Sequence, residues 1–273
     1  MHKPSSKPAR CARTDAEEPV PGLGRQNTVL IIALVCLIVS VAAAIFARQT
    51  LDYPAVMFLN RFATRSVLFD YVMIALNLDL VQGAALVAGI WLVWFAVPEP
   101  ASRARVAAGV IAASFAGLTS RGLQLVLPPF PRPIHDPALL FVQPHGVSPE
   151  SLRYYDAFPS DHATLLFGLA MTIAIIRPGI AVAAFTWALI VSLSRVYVGY
   201  HFISDITAGA GLGVAIVCVS QLPAIRRFCL VFTRWATERP GAFYAVAFLA
   251  TFSVASMFDD IRAVGKGLTK LLH

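Results

Sequence analysis

The chain has 273 residues, 58% of them hydrophobic and 14% charged, with mean hydropathy +0.70 and net charge +7. A soluble domain carries about 25% charged residues, so this composition excludes a water-soluble globule and predicts an integral membrane protein. The basic residues lie at the ends of apolar runs rather than in one patch. That distribution suits topology and anionic headgroups and argues against nucleic acid as a partner.

Residues 1–27 are polar and proline-rich, with five basic and three acidic residues, and read as a disordered tail. The stretch is long for the n-region of a signal peptide, so an uncleaved first span is expected at 28–47. Residues 51–79 mix apolar residues with Arg61, Arg65, Asp70 and Asp79 and read as interfacial amphipathic helix. Further spans are predicted at 80–97, 105–127, 161–177, 180–196 and 202–222. A proline-rich polar loop covers 128–160. Residues 223–240 read as a basic loop, and the run 241–257 either spans as a seventh helix or lies in the interface. The expectation is an all-α, polytopic membrane bundle: one domain over 28–222, with 223–273 appended.

Twelve basic residues fall on one side of this arrangement: five in the tail, Arg103, Arg105, Arg177, Arg226, Arg227, Arg234 and Arg239. That side is read as cytoplasmic, which turns the 128–160 loop outward. Of the four cysteines, Cys36 and Cys218 sit in apolar runs, Cys11 in the tail and Cys229 among basic residues. Their spacing suggests neither a metal site nor a disulfide framework, and they read as reduced and structural.

The stretch "SRVYVGYHFISD" (194–205) places Arg195, His201 and Asp205 between two apolar runs. Counting at about 1.5 Å per helical residue, His162 at the mouth of one span and Arg195 at the end of the next fall at one outer depth. His201 joins them, Asp205 follows one helical turn later, and Arg132 arrives from the preceding span. Polar groups converging at one membrane level are functional candidates. Asp205 beside His201 would orient an imidazole as nucleophile or base. His162 would give a proton to a leaving oxygen, and arginine forks match phosphate oxygens. The set fits attack on a phosphate ester through a phosphohistidine, with arginines in place of a metal and no cofactor.

"SRVYVGYHFISD" resembles the third signature of the type 2 phosphatidic acid phosphatase superfamily. "PSDH" (159–162) is similar to its second signature, and "RP" (132–133) resembles the end of its first. The resemblance covers about 121–210 and implies a six-helix core, with His201 as nucleophile, Asp205 as its partner and His162 as general acid. It makes Arg132, Arg195 and Ser160 phosphate ligands. Two positions depart from the pattern. Leu125 stands where the first signature has Lys, and Arg121, one turn deeper on the same face, is its expected substitute. Asp161 replaces a Gly, and "FPSDHA" is similar to undecaprenyl-diphosphate phosphatases of the bacitracin-resistance type.

The resemblance therefore implies hydrolysis of a lipid phosphate or diphosphate, undecaprenyl diphosphate first, at the outer face of a bacterial inner membrane. Phosphatidate or phosphatidylglycerophosphate hydrolysis, lipid phosphotransfer, and a transporter or headgroup receptor are the alternatives. Ser160 also reads as a helix cap. His135, Asp136, His145 and Arg153 read as solvated loop residues, Asp156 as a loop or cap residue, and "GAGLG" (209–213) as a helix-packing stripe.

Overall fold

The computed structural model describes residues 23–259. Most of the tail read at 1–27 therefore lies outside the described residues, and its last five positions already belong to the first helix. Ten α-helices follow in order: α1 Leu23–Phe46, α2 Tyr53–Asn60, α3 Val67–Ala75, α4 Asp79–Ala96, α5 Pro100–Val126, α6 Asp161–Ile176, α7 Pro178–Tyr197, α8 Ile203–Ser220, α9 Pro223–Glu238 and α10 Pro240–Ala255. A five-residue π-helical turn, Arg48–Asp52, links α1 to α2. Prolines open α5, α7, α9 and α10, where a missing N–H costs no helical bond.

Among the described residues five helices are long and apolar enough to cross a membrane: α1 from Gln26, α4, α5, α7 and α8. Helix α6 has 16 residues, about 24 Å, short of a hydrocarbon core of about 30 Å. It is the central helix, packed against α5, α7 and α8, so protein covers most of its surface. Leu165, Leu166, Leu169, Ala170 and Ile173 are buried there with Val191 of α7 and Val217 of α8. The stripe at 209–213 does what small residues do between helices. Gly209 faces the carbonyl of Ser160, Gly213 that of Thr164, and Gly211 that of Ala33 on α1, with no room for a Cβ at any of the three.

Helix α10 lies antiparallel along the whole of α4. At one end Gly83 abuts Ala255; further along, the indole N–H of Trp91 donates to Thr251 (3.1 Å) and that of Trp94 to the Tyr244 hydroxyl (3.2 Å). It therefore runs across the depth of the bundle instead of along its surface. The expected basic loop at 223–240 is also a helix. Cys229, Thr233 and Ala236 turn inward while Arg227 and Arg234 stay exposed; the arginines obscured a 3.6-residue period in the sequence.

The stretch 51–79 departs most from expectation. It holds two short helices, and its Asp52 and Asp70 are buried fastenings rather than interfacial charges. Asp52 accepts from the Ser204 N–H (2.9 Å) and hydroxyl (2.5 Å). Asp70, fully buried, accepts from Tyr197 and from the backbone N–H of His145 (2.9 Å), with His145 Nδ1 at 2.6 Å. These bonds tie the outer loops to the ends of α7 and α8.

Candidate active site

The ends of α5 and α7 and the beginnings of α4, α6 and α8 meet at one pole of the bundle. Segment 128–160 folds over that pole. Between them lies a cavity of about 580 Å³ lined by Asn77, Asp79, Arg121, Arg132, Tyr155, Asp161, His162, Arg195 and Tyr200, among others. Of the predicted site residues, Arg121, Arg132, His162 and Arg195 line it, and Ser160, His201 and Asp205 do not.

Gly199, with φ +79°, turns the chain sharply after α7. That left-handed conformation suits glycine, and it sets His201 beneath the cavity floor. His201 is fully buried. Its Nδ1–H donates to the Ala157 carbonyl at 3.0 Å, which fixes the tautomer and makes Nε2 the acceptor nitrogen. Arg132 Nη1 stands 3.4 Å from that Nε2. Burial, reinforced by the charges of Arg132 and Arg195, holds the His201 pKa well below its usual value, so the ring is neutral at pH 7.

Asp205 takes a different place from the one expected. Helix α8 begins at Ile203, after His201, so the two side chains do not share a helical face. Asp205 Oδ2 accepts from the Phe202 N–H at 2.8 Å and closes the first turn of α8. It lies 3.6 Å from His201 Nδ1, close enough to act by charge but beyond a good hydrogen bond. The orienting acceptor is the Ala157 carbonyl, which no side-chain motif announces.

His162, in the first turn of α6, lies between two carboxylates. Asp161 Oδ1 is 2.9 Å from Nδ1, and Asp79 Oδ1, from the first residue of α4, is 3.1 Å from Nε2. Both contacts are satisfied together only by the doubly protonated ring. The sequence pattern places Asp79 in an interfacial helix, and the structure puts it at the site. Its signal in the sequence was an acid at the outer mouth of a span, at the depth already assigned to His162.

Arg132 is buried and fixed by backbone carbonyls: Nε to Tyr155 (2.8 Å), Nη2 to Asp156 (2.9 Å) and Nη1 to Tyr200 (2.6 Å). Burial, helped by the nearby charge of Arg195, lowers its pKa to about 10, which still leaves it cationic at pH 7. Arg195, also buried, points Nη1 toward Asn77 Oδ1 at 3.5 Å. Arg121 lies over the Tyr155 ring (4.7 Å) and bonds Gln124 (2.5 Å). It lines the cavity, whereas Leu125 is 75% exposed on the outer surface of α5. Ser160 caps α6 by accepting from the Ala163 N–H at 3.3 Å and is not among the cavity-lining residues.

The loop residues are less solvated than expected. His135 Nε2 contacts the Ser151 carbonyl at 2.8 Å, and Asp136 accepts from the Tyr53 hydroxyl at 2.6 Å. Asp156 accepts from the Phe130 N–H at 3.0 Å. Arg153 makes an exposed pair with Glu150, as a loop residue would. Among the described residues no three His, Cys, Asp or Glu side chains are grouped to hold a metal ion.

Residues 106–227, which contain Arg132, His162, Arg195, His201 and Asp205, match the sequence model of the PAP2 superfamily. That stretch, 122 of the 273 residues, is what the chain shares with the superfamily. A crystal structure of a transmembrane PAP2-type phosphatidylglycerolphosphate phosphatase from Bacillus subtilis aligns at 17% identity, over 73% of this chain and 95% of that one, with a TM-score of 0.45. No curated protein matches. Helices α1, α4, α9 and α10 lie wholly or partly outside the matched PAP2 region, so Asp79 comes from outside it.

Proposed function

We propose that the protein is a lipid phosphate phosphatase working through a phosphohistidine on His201. The observation that carries this reading is a pairing behind the cavity wall: a neutral imidazole whose acceptor Nε2 faces, at 3.4 Å, the guanidinium of Arg132, which lines the cavity. A transporter or headgroup receptor needs the cations but not a buried nucleophile aimed at them.

A phosphoryl oxygen bound by Arg132 brings phosphorus next to His201 Nε2. That lone pair forms the P–N bond as the bond to the leaving oxygen breaks, and His162 passes its Nε2 proton to that oxygen. A water then gives a proton back to His162 and attacks phosphorus, and the P–N electrons return to Nε2. Arg121, Arg132 and Arg195 offset the charge spread over the transferring group. Asp205, 3.6 Å from Nδ1, offsets the positive charge the imidazole carries while phosphorylated.

A polyprenyl diphosphate such as undecaprenyl diphosphate is the proposed substrate, on the strength of Asp161 in "PSDH". The proposed setting is the periplasmic face of a bacterial inner membrane, because the cavity lies opposite the arginines of α9 and of the α4–α5 and α6–α7 links. Phosphate release from undecaprenyl diphosphate, phosphatidate and phosphatidylglycerophosphate, measured in detergent with EDTA present, tests the reading. Release that persists in EDTA and disappears in His201→Ala supports it, with the diphosphate expected to be fastest. Undiminished release by His201→Ala, or no release from any of the three, contradicts it.

A further inference from the structure

A second cavity of about 630 Å³ lies behind the catalytic strip, between the outer end of α1 and the chain leaving α5. Its walls are apolar, and Arg48 is the one charged residue lining it. The Arg48 guanidinium is held between two rings, 4.9 Å from the centre of Phe130 and 4.6 Å from that of Phe202. Its Nε and Nη2 are shielded from solvent and have no hydrogen-bond partner. The nearby Asp52 does not supply one, because its carboxylate is taken by Ser204. A cation with unsatisfied donors in an apolar cleft is costly unless an anion completes it.

We propose that this groove binds the phosphate of an anionic phospholipid, separately from the catalytic cavity. The walls favour a lipid over a soluble anion. Ile45 and Phe46, at the end of a membrane span, line the groove and are 56% and 85% exposed, which gives an acyl chain an apolar path. Gln49 and Thr50, both exposed, stand at the rim beside Arg48 and offer polar contacts to a headgroup. The occupied groove lies one backbone layer from the catalytic groups. Phe202 follows His201 directly, and Phe130 accepts from the N–H of Ala157 (2.9 Å), the residue whose carbonyl orients His201.

Native mass spectrometry of the full chain in detergent tests this, with phosphatidylglycerol or phosphatidylcholine added in the presence or absence of excess inorganic phosphate. Excess phosphate competes for the catalytic arginines. The expected result is one phosphatidylglycerol that survives it and binds about tenfold more tightly than phosphatidylcholine. Arg48→Gln should abolish that preference. Gln49→Glu, an exposed rim change that leaves Arg48 and the fold untouched, should abolish it too. Loss of the bound lipid to phosphate in the wild type would show that the anion alone is recognised and overturn the proposal. An undiminished preference in both variants would also overturn it.

Discussion

Replacing Arg132 with lysine separates a geometric role from a merely cationic one. The guanidinium makes three bonds to backbone carbonyls, at 2.8, 2.9 and 2.6 Å, that fan around its plane. A lysine ammonium gathers its donors on one atom and keeps at most one of these partners. Two lost bonds to a charged group, at about 1.5 kcal/mol each, cost roughly 3 kcal/mol, or about 6–12 °C in Tm for a chain of this size. The phosphate also loses its fork beside His201 Nε2, so kcat/KM should fall about 100-fold or more. Thermal unfolding in detergent and phosphate release from the same preparation measure the two effects. Arg153→Lys, at the exposed pair with Glu150, serves as the silent control. Wild-type Tm and turnover in Arg132→Lys would refute the reasoning, since charge alone would then suffice.

Asp79→Asn removes one of the two carboxylates on His162 and leaves Asp161 in place. It should lower kcat about tenfold with little change in KM, seen in steady-state phosphate release. Arg121→Gln should weaken substrate binding. Adding Leu125→Lys should not restore it, because position 125 is 75% exposed on the far face of α5. Gly213→Ala drives a methyl against the Thr164 carbonyl and should cost about 1–3 kcal/mol, read as a lower Tm. Asp70 is held below its ordinary pKa of 3.8: burial raises it, and the bonds from Tyr197, His145 and Thr64 outweigh that effect. Its stabilisation is therefore complete above that value and is lost as pH falls below it. Thermal stability should drop below about pH 4, and Asp70→Asn should flatten that dependence.

The spans were legible because apolar runs of membrane length leave few alternatives. The site was legible because Arg195, His201 and Asp205 stand out against hydrocarbon, and equal helix lengths bring His162 to the same depth. Three features were hidden for physical reasons. The acceptor that orients His201 is a backbone carbonyl, and any residue at 157 would carry one. Asp70 and Asp79 read as interfacial because charge in a mixed stretch looks solvated until the fold supplies its partners. Helix α9 escaped because arginines on its outer face mask the inward stripe of Cys229, Thr233 and Ala236. Tertiary partners decided each of these cases, and local pattern did not.

The central claim is that phosphate passes through His201. Its most direct test is to give the His162→Ala variant, in which hydrolysis of the intermediate should be slowed, a labelled nitrophenyl phosphate ester, whose leaving oxygen needs no proton, and quench it in base. Peptide mass spectrometry then locates the label. The account predicts an acid-labile, base-stable phosphate on Nε2 of His201. Label on another residue, or turnover by this variant with no phosphorylated protein at any time, would contradict it.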